Sequence, residues 1–155
     1  MSAPRWLSAE EQRAWRAYIE SSKVLADALD RQLQRDADMP HAYYEILVRL
    51  SEADGRSLRM SELADRTLSS RSRLSHAVAR LEERGWVVRE DCPSDRRGQM
   101  ARLTDLGFST LAAAAPGHVA AVRQSVIDVL SAEQLAQLTA IGEAIVGQIR
   151  GPDVG

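Results

Sequence analysis

The apolar positions of this chain recur at helical spacing over most of its length. Near the N terminus, Ser8 and Glu11 have the spacing of a capping box, and the pattern predicts a helix that begins there and continues to about Asp36. One stripe along this helix is largely apolar: Trp15, Tyr18, Ile19, Ser22, Leu25, Ala26, Leu29 and Leu33. A single helix cannot bury such a stripe by itself, so the stripe requires a partner surface.

The C-terminal third of the chain has the same kind of pattern. Thr104 begins a predicted helix that a Pro-Gly pair at positions 116 and 117 should bend or interrupt, after which the helix resumes to Leu130. A second capping box, Ser131 with Gln134, begins a last helix. Its apolar positions are Leu135, Leu138, Ile141, Ile145 and Ile149. Two arrangements of the terminal helices remain open, an intramolecular bundle and association with a second copy.

The middle of the chain contains three shorter predicted helices. The first, over residues 42–52, carries Tyr43, Ile46, Leu47 and Leu50 as a packing stripe and is followed by a brief segment at 57–59. The second covers residues 60–67, and residues 68–70 form a turn into the third. The third begins at Ser69 or Ser70, ends at Arg84 and is closed by Gly85. This is the spacing of a helix-turn-helix.

The two faces of the third helix differ in polarity. Leu74, Val78 and Leu81 lie on one side, and basic and hydroxyl side chains lie on the other. Arginine pairs well with guanine in the major groove, and serine is permissive, so this side is predicted to meet DNA. The predicted contact residues are Ser70, Arg71, Ser72, Arg73, Ser75, His76 and Arg80, with Arg80 and Arg84 placed for phosphates. An ordinary amphipathic surface helix is the alternative.

Residues 89–104 read as strand, tight loop and strand. Pro93 and Gly98 bracket a predicted turn whose tip carries Asp95, Arg96 and Arg97, and residues 87–88 pair with 100–103 as a short hairpin. Weakly hydrated guanidinium groups suit the electronegative minor groove. Asp95 is interpreted as a partner that fixes one arginine and orders the loop. The alternative is a solvated, charged hairpin tip.

Three helices followed by a hairpin is the order of a winged helix-turn-helix. On four motifs the chain resembles the multiple-antibiotic-resistance regulator (MarR) family of transcription factors over nearly its whole length. The motifs are Tyr44-Glu-Ile-Leu-Val-Arg-Leu50, Met60-Ser-Glu-Leu-Ala64, Arg80-Leu-Glu-Glu-Arg-Gly85, and Ser94-Asp-Arg-Arg97 followed by Leu103-Thr104. Two positions depart from the family: Arg73 stands where threonine is frequent, and His76 where arginine is frequent. The base preference of the family therefore cannot be transferred.

The resemblance implies a mainly α fold with a small β-hairpin, in which N- and C-terminal helices dimerise. The expected organisation is an N-terminal dimerisation helix at 1–37, a DNA-binding lobe at 38–104, C-terminal dimerisation helices at 105–150 and a disordered tail at 151–155. The expected function is a repressor that binds a pseudo-palindromic, double-stranded DNA operator as a homodimer. In this family a small phenolic or aromatic effector can bind between the helices and the lobe and release DNA. The tentative effector residues are Trp15, Tyr18, His41, Tyr43 and Tyr44, for which packing in the core is the alternative.

Composition limits the other classes of protein. The chain has 155 residues, 45% of them apolar, with no run close to a membrane span and no signal peptide, so a cytoplasmic protein without a membrane partner is expected. Its three histidines are far apart in sequence, and it has no CxxC motif or nucleotide-binding glycine loop, so no enzyme, catalytic residue, metal or cofactor is predicted. Cys92 is the one cysteine, and we expect Asp91 beside it to disfavour a reactive thiolate.

The net charge of −2 is unevenly distributed. Residues 56–102 hold eleven arginines against seven acidic residues, whereas the rest of the chain holds nine basic and fifteen acidic residues. Attraction to phosphate depends on the charge of the contacting face, so a basic middle region is compatible with DNA binding. The alternative from another class is a helical module that binds a protein or a lipid-like ligand and has no specific affinity for DNA.

Overall fold

Helices make up most of the chain. The computed structural model describes residues 4–151, apart from the side chain of Arg96. Six α-helices are present in the described part, together with three strands and 3-10 turns at Asp54–Arg56 and Ile127–Val129. They are α1 (Ala9–Ala37), α2 (His41–Ser51), β1 (Ser57–Arg59), α3 (Met60–Arg66), α4 (Arg71–Glu83), β2 (Val87–Cys92), β3 (Asp95–Leu103), α5 (Asp105–Ser125) and α6 (Ala132–Arg150). The mainly α fold with a wing is confirmed.

The chain divides after His118 into two compact units. The proposed boundaries at residues 37, 104 and 150 stay predictions. Of the predicted tail at 151–155, all but Gly151 lies outside the described residues. No helix in the described part is both long enough and apolar enough to cross a membrane.

Serine side chains begin three of the helices, as predicted. At α1 the Glu11 N–H donates to Ser8 Oγ at 3.2 Å while the Ser8 N–H donates to Glu11 Oε2 at 2.7 Å. Ser131 and Gln134 make the same exchange at α6, and the Arg73 N–H donates to Ser70 Oγ at 3.2 Å at α4. Each cap satisfies N–H groups that have no partner inside the helix.

The sheet is larger than the predicted hairpin. Its order is β1-β3-β2, all antiparallel, and the segment at 57–59 is a strand because its residues pair with 100–102 of β3. The turn also lies elsewhere than predicted: β2 ends at Cys92 and β3 begins at Asp95, so the turn consists of Pro93 and Ser94. Asp91 pairs with Gln99 and Cys92 with Asp95, which leaves residues 96–98 as a bulge without partners on β2.

One hydrophobic core lies in the unit that ends at His118. The predicted stripes of α2 and α4 are buried in it, with Tyr44 more deeply buried than Tyr43. Among its largest fully buried side chains are Leu33, Met39, Leu47, Leu50, Leu63, Leu74 and Leu81. Each buried leucine contributes on the order of 2 kcal/mol through the area it removes from water. This core fixes α4 against α2 and α3 with its polar side free.

The first turn of α5 lies against the junction between α4 and β2. Thr104 Oγ1 donates to the carbonyl of Gly85 at 2.7 Å, the Thr104 N–H donates to the carbonyl of Trp86 at 3.0 Å, and the Gly107 N–H donates to Thr104 Oγ1 at 3.0 Å. A Cβ at position 107 would stand 2.1 Å from the Trp86 carbonyl oxygen. Only glycine therefore permits this approach.

Helix α5 continues through Pro116, so the predicted interruption is wrong. The helix ends at Ser125, and a 3-10 turn follows where the helix was expected to run on to Leu130. Alanine is the strongest helix former, and alanines at 112–115 and 120–121 flank the proline. They maintain the helical backbone although one N–H is missing.

Large apolar side chains on α1 and on α6 remain exposed within this single chain. On α1, Trp15 is 55% exposed, and Tyr18 and Val24 are exposed as well; on α6, Ile141 is 52% and Ile149 79% exposed. No described residue of α6 is buried. Each of these helices therefore presents apolar side chains to solvent, and the arrangement of the terminal helices stays a prediction.

We expect Gly107→Ala to lower the free energy of unfolding by about 2 to 3 kcal/mol, because α5 must move away from Trp86 to admit the methyl group. Urea denaturation at one fixed protein concentration measures this. Gly117→Ala is the matched control in the same helix, since its Cβ would be 3.5 Å from the nearest atom, the Gln32 side-chain nitrogen. Equal effects of the two substitutions would contradict the close-approach explanation.

Candidate nucleic-acid interface

The N-terminal half of α4 presents a basic, polar surface. Arg71, Ser72, Arg73 and His76 are exposed, and Ser75 is half-buried. Ser70 is exposed as well, but its oxygen already caps the helix. The surface therefore offers three cationic or imidazole side chains beside short hydroxyls, a combination able to meet base edges and phosphates.

The arginines at the other end of α4 have partners within the chain. Arg80 Nη1 lies 2.9 Å from Glu83 Oε2, and this hydrogen-bonded partner raises the pKa of Arg80. Arg84 donates to the Asp38 carbonyl at 2.6 Å and lies over the Trp86 ring, 4.8 Å from its centroid. Arg84 thus secures the end of α4 to the segment before α2, a role that sequence reasoning did not assign.

The wing arginines stand in the bulge of β3. Asp95 Oδ1 accepts a hydrogen bond from the Arg97 N–H at 3.0 Å, which holds the bulged backbone. The side chains of Asp95 and Arg97 are exposed, and the Arg96 side chain lies outside the described part of the chain. The arginine with which Asp95 forms its ion pair comes from β1: Arg59 Nη1 is 3.8 Å from Asp95 Oδ2. Arg59 also donates to Ser94 Oγ at 2.7 Å.

A cleft of about 380 Å³ separates α3 and α4 from the wing. Three arginines and one carboxylate are among the residues that line it. The lining residues are Arg59, Met60, Ser61, Arg71, Leu74, Ser75, Asp95, Arg97, Gly98 and Gln99. Sequence reasoning missed Arg59, because only the pairing of β1 with β3 brings it to the wing. The positive excess around the cleft favours an anionic occupant such as a phosphate backbone.

Behind this cleft, Arg89 of β2 joins the wing to α4. Its N–H donates to Glu82 Oε1 at 2.9 Å, its Nε donates to Glu82 Oε2 at 2.9 Å, and its Nη1 donates to Ser75 Oγ at 3.3 Å. The pair Glu82–Arg89 was not predicted, since seven residues and a change from helix to strand separate the two. The only sign of this pair in the sequence was that Glu82 and Arg89 carry opposite charges.

A second pocket, of about 230 Å³, lies between α2 and the first part of α5. It is lined by His41, Tyr44, Glu45, Val48, Arg49 and His118. Of the five tentative effector residues, the structure brings His41 and Tyr44 together here and adds His118. Tyr43 packs against the core, and Trp15 and Tyr18 lie together on the exposed face of α1, 6.3 Å apart between ring centroids.

The histidines of this pocket are closer than their separation in sequence suggested. The ring centroids of His41 and His118 are 5.3 Å apart, and those of Tyr44 and His118 are 4.4 Å apart. Burial and the neighbouring His41 lower the pKa of His118, which favours its neutral ring, and its Nδ1 lies 3.2 Å from Gln32 Oε1. The described residues contain no group of three or more side chains suited to holding a metal.

Arg49, one of the residues that line this pocket, has an unsatisfied donor. Its Nε is buried and has no hydrogen-bond partner among the described residues. Burial also raises the pKa of Tyr44, which keeps its phenol protonated. A neutral imidazole, a phenol and a guanidinium N–H in one pocket suit a small ligand that carries both a ring and an anionic oxygen.

Cys92 is buried at the base of the wing, with Sγ 3.4 Å from Ser94 Oγ. The hydrogen bonds of Ser94 lower the pKa of the Cys92 thiol, and the charge of Arg59 adds to this. The expected disfavouring of the thiolate is therefore wrong in its net direction, and Asp91 is not among the causes of the shift. Burial of the sulfur limits its access to oxidants.

Comparisons with known proteins agree with this geometry. A family model described as MarR family matches residues 37–98. Among curated proteins, the transcriptional repressor MprA of Escherichia coli strain K12 is 30% identical over 95 residues, which cover 60% of this chain and 54% of MprA. The chain therefore matches about half the length of this curated relative.

Among the solved structures that match nearly the whole chain are two regulators from Streptomyces coelicolor. Sco3205, a MarR family transcriptional regulator from Streptomyces coelicolor whose structure is a complex with DNA, is 58% identical with a TM-score of 0.94, over 98% of this chain and 95% of Sco3205. AbsC, a MarR family transcriptional regulator from the same organism, is 44% identical with a TM-score of 0.91, over 96% of this chain and 100% of AbsC.

Proposed function

The chain belongs to the MarR family of transcriptional regulators, and we propose that it is a repressor that binds a pseudo-palindromic, double-stranded DNA operator as a homodimer. One observation carries the proposal: the exposed N-terminal half of α4 and the arginine-bearing bulge of the wing border the same basic cleft. The complex of Sco3205 with DNA supports it by similarity. No enzymatic activity is assigned, because these relatives are transcriptional regulators.

In the proposed complex α4 enters the major groove. Arg71, Arg73 and His76 lie in the first two turns of the helix and face solvent, where a recognition helix meets base edges. The wing would then follow the backbone and place Arg97 toward the adjacent minor groove, whose narrow, electronegative floor attracts guanidinium groups. Asp95 favours this pose because it holds the Arg97 backbone and is itself paired with Arg59.

Exposed apolar side chains on α1 and α6 support a homodimer. Stable dimer interfaces are rich in apolar area, and Trp15, Tyr18, Ile141 and Ile149 are exposed in a single chain. A two-fold dimer presents two copies of α4 and therefore matches two half-sites related by the same symmetry. This is the physical reason for expecting a pseudo-palindromic operator. Action on an operator also places the protein in the cytoplasm.

The pocket beside His118 supports regulation by a small phenolic or aromatic acid. Its volume of about 230 Å³ suits one aromatic ring, and the guanidinium of Arg49, which lines the pocket, would pair with a carboxylate. The proposed ligand contacts are thus His41, Tyr44, Arg49 and His118. Since α2 packs directly on α4, a ligand that moves α2 would change the position of the recognition surface.

We expect the protein to bind its own upstream intergenic DNA with a dissociation constant of about 10 nM or lower and to resist excess nonspecific competitor. Arg73→Ala and Arg97→Ala should each weaken binding about tenfold or more, because each removes a guanidinium from the contact surface. A gel-shift titration at several salt concentrations measures both effects.

Arg31→Ala is the matched control for these DNA titrations. It removes the same charge from the exposed surface of α1, where Arg31 forms an ion pair with Asp27, and it should leave operator affinity unchanged. If the wild-type protein bound its upstream DNA no more tightly than competitor DNA, the proposal would be refuted and the helical interaction module would be favoured.

Sedimentation equilibrium should give a dimer with twice the 17.1 kDa mass of the chain. Ile141→Glu should produce monomers and reduce operator binding, because it places a charge in the apolar face of α6. Ala140→Glu, on the opposite side of α6, is the control and should remain dimeric. A wild-type monomer at micromolar concentration would disprove the homodimer.

Isothermal titration calorimetry with benzoic and 2-hydroxybenzoic acids should detect binding that Arg49→Gln weakens about tenfold, since the variant loses a charge-assisted hydrogen bond. The same acids should release operator DNA in the gel-shift assay. Arg35→Gln is the control, because Arg35 is paired with Asp36 on the surface of α1. No heat of binding with any of the acids and no release of DNA would exclude this effector class.

A further inference from the structure

The contact between Arg89 and Ser75 lies at the edge of the basic cleft. Arg89 is three-quarters buried, with 25% of its side chain exposed, and its partner Glu82 is 31% exposed. Both oxygens of Glu82 accept hydrogen bonds from Arg89, which leaves one end of the guanidinium to donate to Ser75 Oγ. The two contacts with Glu82 therefore fix the position of the weaker contact between Arg89 and Ser75.

This arrangement determines how the Ser75 hydroxyl can be used. A hydroxyl has one proton and two lone pairs, and a guanidinium offers donors only. Arg89 occupies a lone pair of Ser75, so the Ser75 proton must find an acceptor elsewhere. Accepting the hydrogen bond from Arg89 also polarises the Ser75 hydroxyl and makes it a better donor.

Two other helical serines, Ser51 and Ser109, satisfy their proton within their own helix. Ser51 Oγ donates to the Val48 carbonyl at 2.7 Å, and Ser109 Oγ donates to the Asp105 carbonyl at 2.9 Å. Ser75 makes no such bond to any described residue, and its side chain lines the cleft together with Arg71 and Arg97. Its proton therefore faces the space that an occupant of the cleft would enter.

We propose that Arg89 is a positioning residue that holds Ser75 as a hydrogen-bond donor to the N7 atom of one purine in each operator half-site. The proposal rests on the proposed function, in which α4 lies in the major groove. Purine N7 is an acceptor on the major-groove edge of both guanine and adenine. Ser75 begins the second turn of α4, where a recognition helix meets base edges, so its short, anchored hydroxyl serves a base edge.

The test uses full-length protein and the upstream duplex, with single purines replaced in turn by their 7-deaza analogues, which lack the N7 acceptor. Fluorescence anisotropy should reveal one position per half-site at which the analogue weakens wild-type binding about three- to tenfold, the worth of one hydrogen bond. Ser75→Ala should bind the natural duplex weaker by the same factor and lose nothing more on that analogue.

Two further variants isolate the role of Arg89. Arg89→Lys keeps the charge beside Glu82 but loses the fork that reaches Ser75, so it should also lose the sensitivity to the analogue. Ser109→Ala removes a hydroxyl from α5, outside the residues that line the cleft and without a contact to Arg89, and it should retain full wild-type sensitivity. Circular dichroism melting confirms that each variant is folded before its affinity is compared.

Each alternative result has one meaning. The assignment of Ser75 is overturned if Ser75→Ala keeps its sensitivity to every analogue. It is also overturned if this variant binds operator and unrelated DNA equally weakly, as loss of a phosphate contact would predict. Arg89→Lys with wild-type sensitivity overturns the role of Arg89. If the wild-type protein shows no preference for the operator, both the proposed function and this inference are refuted.

Discussion

The contact of Glu82 with Arg89 holds α4 and the wing in one arrangement. Both carboxylate oxygens are engaged, one by the backbone and one by the side chain of the same residue, so the start of β2 is fixed to the last turns of α4. Bidentate, charge-assisted contacts of this kind define orientation as well as distance. The anchoring of Ser75 at the edge of the cleft between α4 and the wing follows from this constraint.

Carboxylates elsewhere in the basic region act in a similar way. Asp95 pairs with Arg59 and Glu90 with Arg102, and Asp95 also holds the backbone of the bulge. These acidic residues lower the net charge of the surface, yet they fix the arginines and the loop that bears them. A preordered loop loses less conformational entropy when it binds, which offsets the loss of attraction. A chain with a net charge of −2 can therefore still present an ordered basic face.

Local patterns predicted the elements well, because capping, helical spacing and glycine at Gly85 depend on neighbours in sequence. Contacts between distant segments were not predictable. Arg59 reaches the wing only through pairing of β1 with β3, and His118 meets His41 only through packing of α5 on α2. Gly98 was interpreted as a turn residue, whereas it lies in the bulge, where an added Cβ would be 3.3 Å from Asp95 Oδ2 and from Cys92 Cβ. Gly98 indicated a crowded backbone position, but the sequence did not show whether that position was a turn or a bulge.

The account depends most on one claim, that two copies of α4 and the wing engage DNA symmetrically. A hydroxyl-radical footprint on the upstream intergenic duplex tests it directly, because it maps backbone contacts on both strands. The account predicts two equivalent protected half-sites about one helical turn, roughly 10 base pairs, apart, with protection extending into the flanking minor grooves where the wings lie. A single unsymmetrical protected patch, or no protection at concentrations that saturate binding, would contradict it.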